Sequence, residues 1–115
     1  YVNNGELSCK YTCRSTDMFL GNFFNITSYS ILTHLFAKAA NLKAKELIFV
    51  GGDVHIYNNH INQVKEQLSR TPYNFPTINI NKSISSIEDM ENLSYEDFEV
   101  LNYKFHPAIK AEMAI

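Results

Sequence analysis

The chain has 115 residues, of which 45% are hydrophobic and 19% charged, and it contains 8 Phe and 7 Tyr. This composition excludes an intrinsically disordered chain and suits one ordinary domain with a modest core. Its 10 basic and 12 acidic residues give a net charge of −2, which excludes a general electrostatic attraction to DNA, RNA or anionic lipid.

The distribution of apolar residues predicts a soluble, unexported protein. No apolar run approaches the roughly 20 residues of a membrane helix, and no basic and apolar leader opens the chain. Cys9 and Cys13 lie four residues apart in one predicted strand, about 13 Å from each other, whereas a disulfide needs less than about 7 Å. Two unpaired thiols suit the cytoplasm. Because Tyr1 is not an initiator methionine, we expect a segment of a longer protein.

The first half of the chain predicts a strand, a helix and a second strand. Alternating residues over 6–14 predict a half-buried strand, with Leu7, Cys9, Tyr11 and Cys13 on one face. A helix capped by Asn25 or Thr27 and ending near Asn41 follows, and its predicted buried face comprises Ile31, Leu32, Leu35, Phe36 and Ala39. The run 47–50 before Gly51 and Gly52 is typical of a central strand covered on both faces.

The second half predicts shorter elements. Residues 55–57 continue extended, and a helix follows Asn58 and Asn59, with Ile61, Val64 and Leu68 inward, a Glu66–Arg70 pair outward and an end at Pro72. Short strands are predicted at 77–80 and 98–101, with a brief acidic helix over 85–93. The fold class is therefore α+β, a mixed sheet packed with helices.

Three polar groups could bind a ligand. Arg14 and Ser15 follow a strand, and a guanidinium beside a hydroxyl can hold a phosphate, although a solvated arginine explains the pair as well. The carboxamide of Asn25 could recognise the N3–H and O4 of a uracil edge, although helix capping alone also explains it. Asp53, His55 and Tyr57 alternate along one face after a glycine bend and could bind a sugar hydroxyl.

Several other site types are not indicated. His34 and His60 lack the spacing of a zinc site and suit packed histidines, so we predict no metal. Neither a phosphate-binding glycine loop nor a Gly-x-Ser-x-Gly elbow is present. Cys13 precedes Arg14 and could be an activated thiol, but its place in the alternation favours a buried, inert one.

The order of these motifs resembles the thymidylate synthase family. The resemblance lies in Cys13 to Gly21 (CRSTDMFLG), Phe24 to Tyr29 (FNITSY), Gly51 to His60 (GGDVHIYNNH), Glu66 to Arg70 (EQLSR) and Tyr95 to Glu99 (YEDFE). The match runs from Tyr1 to Ile115, so we expect residues 1–115 to form the C-terminal part of one thymidylate synthase domain.

The resemblance implies a set of binding residues. Arg14 and Ser15 would hold the 5′-phosphate of dUMP, with Thr16 and Asp17 in the same loop, and Asn25 would recognise the pyrimidine. The remaining implied contacts are to the deoxyribose, from His55 and Tyr57 with Ile56 between them, and to the folate, from Asp17 and from Ala114 near the chain end.

The resemblance also implies the reaction and its partners. In this family a cysteine thiolate adds to C6 of dUMP, C5 takes the one-carbon unit of 5,10-methylenetetrahydrofolate, and hydride from the folate completes the methyl group of dTMP. The Pro-Cys-His segment with that cysteine would lie upstream of Tyr1, so no catalytic residue is expected in this chain, which alone would be inactive. A cytoplasmic homodimer is implied, with dUMP and the folate as partners and neither metal, membrane nor DNA.

Departures from the family pattern leave alternatives open. Cys13 stands where many members have glutamine, Phe23 where proline is common, and 78–93 is divergent. The deoxycytidylate hydroxymethylases are similar but have aspartate at the position of Asn25, so the amide favours uracil. A non-catalytic dUMP-binding or dimerising partner without the nucleophile, or a deoxypyrimidine hydroxymethylase relative, are the alternative hypotheses.

Overall fold

The computed structural model describes residues 1–113, which form two small sheets and three α-helices. In chain order the elements are β1 (Val2–Asn3), β2 (Glu6–Asp17), α1 (Asn22–Ala39), β3 (Lys43–His55), a 3₁₀ turn (Asn58–His60), α2 (Ile61–Ser69), β4 (Thr77–Ile80), α3 (Ile87–Glu91), a second 3₁₀ turn (Tyr95–Asp97) and β5 (Phe98–Leu101). Residues 102–113 follow without regular structure. The predicted α+β class is confirmed.

The larger sheet is mixed, as predicted. Its order is β1-β2-β3, with β1 antiparallel to β2 and β2 parallel to β3. The parallel pair runs from Glu6 opposite Lys43 to Asp17 opposite His55, with one irregularity between Leu7 and Cys9. Parallel strands need a crossover connection, and α1 supplies it. The carboxyl ends of both strands therefore lie at the same edge as the start of α1.

The helix α1 begins earlier than predicted. Asn25 donates its backbone N–H to Gly21 and Thr27 donates its hydroxyl to the carbonyl of Phe23, so both lie inside the helix and the prediction that one of them caps it is wrong. Gly21 occupies the cap position and makes no side-chain capping bond. The reason is that the preceding turn is already closed by Asp17, whose backbone oxygen accepts from Gly21 at 3.1 Å.

The predicted buried face of α1 is confirmed only in part, since Ile31, Leu35 and Ala39 are half-buried. Thr33 and Ala37 are its buried residues in the middle and last turns, whereas Leu32 and Phe36 are 36% and 44% exposed. Small residues allow the helix to approach the sheet closely. Tyr29 completes the contact by stacking on Tyr11 of β2 with ring centroids 4.2 Å apart.

Two further predictions of burial are not met. The strand predicted as central, β3, pairs only with β2 among residues 1–113, and its Val50 is 41% exposed. In α2, Leu68 was expected inward but is 80% exposed, because little of the described chain packs against this helix. The predicted Glu66–Arg70 pair is confirmed, with 2.7 Å between Oε1 and Nη2.

The second sheet is the antiparallel pair β4 and β5, as expected from their alternation. Ile80 and Ile84 are buried beneath it, and the ammonium of Lys38 donates to the carbonyl of Ile80 at 2.5 Å, which ties α1 to β4. The acidic helix is shorter than predicted, Ile87–Glu91, with Ser86 as its N-cap. None of the helices in the described part of the chain is long and apolar enough to cross a membrane.

Candidate functional site

The candidate site lies at the carboxyl ends of β2 and β3. In open parallel sheets ligands bind at this edge, since strands and the following helix bring polar groups and free backbone N–H groups there. The ladder places Ser15 opposite Asp53 and Asp17 opposite His55. Residues about 38 positions apart in the sequence are thus neighbours, and we call the group Ser15, Asp17, Asp53, His55 and Tyr57 the strand-end cluster.

One face of this cluster is a short polar row. The Oγ of Ser15 lies 3.5 Å from Oδ2 of Asp53, and Oδ1 of Asp53 lies 3.6 Å from Nδ1 of His55. The second distance is too long for a hydrogen bond, and the first is at its limit. The ring of His55 meets that of Tyr57 edge-on, with centroids 4.9 Å apart. These groups are therefore close together but remain free to bind a ligand.

Asp17 organises the turn between β2 and α1. Its Oδ1 accepts from the backbone N–H of Phe19 at 2.9 Å, and the backbone N–H of Met18 donates to the carbonyl of His55 at 2.9 Å. A carboxylate that binds backbone two residues on is a common way to fix a turn. Asp17 thus fixes the turn from β2 to α1, and the bond of Met18 ties this turn to the end of β3.

Arg14 and Thr16 precede this turn and differ in exposure. Arg14 is exposed and forms no salt bridge with any of residues 1–113, so its guanidinium is available to an anion. Thr16 is only 4% exposed, and its hydroxyl has no hydrogen-bond partner in the same part of the chain. The predicted phosphate residues therefore include one free cation and one buried hydroxyl.

The backbones of β2 and β3 approach each other closely at Arg14 and Gly52. A Cβ at Gly52 would lie 2.7 Å from the carbonyl oxygen of Arg14 and 3.4 Å from that of Cys13. Real Cβ atoms essentially never approach another atom so closely, so only glycine permits this separation of β2 and β3.

Asn25 lies at the same edge, within the first turns of α1, and is half-buried. Its carboxamide makes no hydrogen bond to the described residues, so a donor and an acceptor are both free. Tyr57 is 42% exposed and Ile56 beside it is 42% exposed. Of the predicted site residues only Ala114 lies outside the described range 1–113.

Both cysteines are free, as predicted, and both are half-buried. Cys9 pairs with Leu47 and Cys13 with Gly51 along the strand, away from the turn that ends at Gly21. Among residues 1–113 no three His, Cys, Asp or Glu side chains converge as a metal site would require. The described part of the chain therefore offers polar groups that can bind a ligand.

One residue of interest was not predicted as part of the site. His60 is fully buried, and its Nε2 lies 2.7 Å from the carbonyl oxygen of Glu112, 52 positions along the chain. Its ring lies 5.3 Å from that of Phe19 and 6.0 Å from that of Tyr57. The only sequence signal was a histidine after two asparagines, which does not reveal a distant partner.

Together these groups suit an anionic ligand that carries hydroxyl and amide groups. A free guanidinium can pair with a phosphate, an amide can bind a heterocycle edge, and a histidine beside a tyrosine can bind a hydroxyl. The strand-end cluster is open to solvent on the side away from the sheet, since Ser15 and Asp53 are exposed.

Comparison with known proteins points to one family. The family model described as thymidylate synthase matches residues 1–115. The chain is 56% identical over 115 residues to a thymidylate synthase of Francisella tularensis subsp. holarctica, 55% to one of Coxiella burnetii and 50% to one of Corynebacterium aurimucosum. Each alignment covers 100% of this chain but only 41%, 42% and 41% of the relative, so the chain spans about two fifths of their length.

Proposed function

The chain belongs to the thymidylate synthase family, and we propose that the protein containing it converts dUMP to dTMP with 5,10-methylenetetrahydrofolate as co-substrate. The observation that carries this proposal is the match of the family model to residues 1–115. Because the chain spans 41% of the first relative, we assign it the nucleotide contacts and assign the nucleophilic cysteine to polypeptide outside these residues.

We assign the 5′-phosphate to Arg14 and Ser15. Consecutive residues of a strand point to opposite faces, so both can reach one phosphate only at an open strand edge. An open edge is present in the described chain. The strand β1 pairs with β2 only at Leu7 and Glu6, so the edge of β2 is unpaired near Arg14. Thr16 contributes its backbone to the same loop, since its side chain is buried.

We assign the pyrimidine to Asn25 and the deoxyribose to the row His55 to Tyr57. An amide offers both a donor and an acceptor, which matches the acceptor O4 and donor N3–H of uracil. The edge-on His55 and Tyr57 rings leave the Tyr57 hydroxyl and a His55 nitrogen for the sugar hydroxyl, with Ile56 between them. The cluster and the first turns of α1 meet at one edge, which supports assigning the base and the sugar to neighbouring contacts.

We assign the folate to Asp17 and Ala114. One oxygen of Asp17 already accepts from Phe19, which leaves the other oxygen for a ligand. Ala114 follows the described residues, two positions after Glu112, whose carbonyl contacts His60. A contact from the chain end would close the site over the folate.

The proposal extends to assembly and compartment. We propose a cytoplasmic homodimer, with dUMP and the folate as partners and no metal, membrane or DNA. The open strand edge and the exposed apolar side chains of α1, such as Phe24 at 77%, support completion of the fold by further polypeptide.

A tritium-release assay tests the reaction. The full-length protein should release tritium from dUMP labelled at C5 only when methylenetetrahydrofolate is present. Binding of dUMP without release would favour the non-catalytic partner, and turnover of dCMP in place of dUMP would favour the hydroxymethylase relative.

The phosphate assignment has its own test. Arg14→Ala should weaken dUMP binding at least tenfold in calorimetry, because a hydrogen bond to a charged group contributes about 1.5 to 3 kcal/mol. Lys10→Ala is the matched control, since Lys10 is an exposed cation on the same strand. Equal affinity of the unmutated protein for dUMP and deoxyuridine would contradict the assignment.

A further inference from the structure

Side-chain hydrogen bonds in both directions tie the irregular segment 102–113 to the preceding part of the chain. The Nε2 of His106 bonds the carbonyl of Thr71 at 2.8 Å, and Nη1 of Arg70 donates to the carbonyl of Pro107 at 2.6 Å. Two side chains reach the carbonyl of Glu112, the described acceptor nearest the chain end: Nε2 of His60 at 2.7 Å and Nδ2 of Asn59 at 3.5 Å, which is the limit of a hydrogen bond. Without secondary structure, the path of this segment depends on such contacts.

The bond from His60 differs in burial from the bonds of Arg70 and His106. His60 has no exposed surface, whereas Arg70 and His106 are both partly exposed. A carbonyl oxygen only accepts, so Nε2 of His60 carries the proton and donates it to Glu112. The Nδ1 of His60 is buried without a partner among residues 1–113, so the Nε2 bond is the ring's one described polar contact.

The position of His60 connects the chain end to the strand-end cluster. Its ring is near both that of Phe19, in the turn after Asp17, and that of Tyr57. The backbone N–H of His60 also donates to the carbonyl of Tyr57 at 2.9 Å. Glu112 is thus connected through His60 to a residue assigned to the sugar.

We propose that His60 is a positioning residue that fixes the C-terminal segment through the carbonyl of Glu112. The bond fixes the position of Glu112, from which the last residues of the chain continue. The effect of this bond on folate binding rests on the proposed function, whereas the bond itself does not.

Two amide variants of the full-length protein separate the bond from general packing. The amide of a glutamine reaches about as far as Nε2 of histidine, whereas that of an asparagine reaches only about as far as Nδ1. His60→Asn should therefore raise backbone hydrogen exchange at 109–113 about tenfold, the effect of losing one typical hydrogen bond, with exchange in β2 and β3 unchanged. His60→Gln should stay within about twofold of the unmutated protein.

The kinetic test compares the KM for the folate with the Kd for dUMP. His60→Asn should raise KM for methylenetetrahydrofolate about tenfold with the Kd for dUMP unchanged, and His60→Gln should restore KM. His106→Asn is the matched control, because it removes the same kind of bond six residues before Glu112 and should leave KM for the folate unchanged.

The outcomes are distinct. Unchanged exchange at 109–113 in His60→Asn overturns the proposal, and so does a loosened segment with an unchanged KM for the folate. Equal loosening of β2 and β3 in both His60 variants also overturns it, because His60 would then serve the core in general. If the unmutated protein has no synthase activity, the proposed function fails, and the exchange comparison alone decides whether His60 holds the segment.

Discussion

Replacing Gly52 with alanine tests the close approach of β2 and β3 at the candidate site. The new Cβ would lie 2.7 Å from the carbonyl oxygen of Arg14, whereas ordinary contact begins at 3.4 Å, so the strands must separate by about 0.7 Å. The obstacle is backbone, which cannot rotate away as a side chain can. Overpacking of this kind costs about 1 to 3 kcal/mol of unfolding free energy.

The separation should also move Arg14 and weaken dUMP binding about tenfold, because Arg14 would lose one hydrogen bond to the charged phosphate. Urea denaturation of the full-length protein measures the stability, and calorimetry measures the Kd for dUMP. Gly5→Ala is the control, because Gly5 has a φ of +77° and nothing lies within 4 Å of its added Cβ. It should cost about 1 kcal/mol through backbone strain alone and leave dUMP binding unchanged.

Two results would refute the reasoning. An unchanged urea midpoint for Gly52→Ala would mean that the two backbones do not approach as described. Lost stability with dUMP affinity equal to that of Gly5→Ala would mean that Gly52 supports the sheet but does not position Arg14 for a phosphate.

The remaining predictions concern three other positions. Asn25→Asp should shift the ratio of kcat/KM values from dUMP toward dCMP, because a carboxylate accepts from the cytosine amino group; an unchanged ratio would remove the base assignment. The backbone N–H of Ser94 holds the pKa of Asp97 below its ordinary value of 3.8. The stability that this hydrogen bond contributes is therefore complete above pH 3.8 and is lost as the pH falls through the lowered pKa. The hydrogen-exchange protection factor of the Ser94 amide should fall as the pH drops through that lowered pKa, but should show no such step in Asp97→Asn. Burial raises the pKa of Tyr11, whose hydroxyl is buried without a partner in the described chain, so Tyr11→Phe should keep or raise the unfolding free energy by up to about 1 kcal/mol; a loss larger than that would reveal a partner.

Much of the secondary structure could be predicted because it is locally encoded. The alternation along β2 and the turn residues before β4 gave strands that the structure contains, and the Glu66–Arg70 pair is present. The start of α1 was misplaced because capping residues are common inside helices too, and Asp17 had already closed the turn before Asn25.

The buried faces were less predictable, because burial depends on what packs against an element. Leu68 has the spacing of a buried residue yet is 80% exposed, and Phe36 is exposed while the smaller Ala37 is buried. Helical spacing shows which residues share a face, but the face that meets the sheet is chosen by the fit of side chains to it.

The sequence by itself determined the family resemblance, the kinds of binding groups and the order of strands and helices, because these depend on residue identity and local periodicity. Only the tertiary structure decided the parallel register that places Ser15 beside Asp53 and Asp17 beside His55. It also decided that His60 meets the carbonyl of Glu112. Such contacts join residues separated by dozens of positions, and they depend on strand register and chain path, which no local pattern specifies.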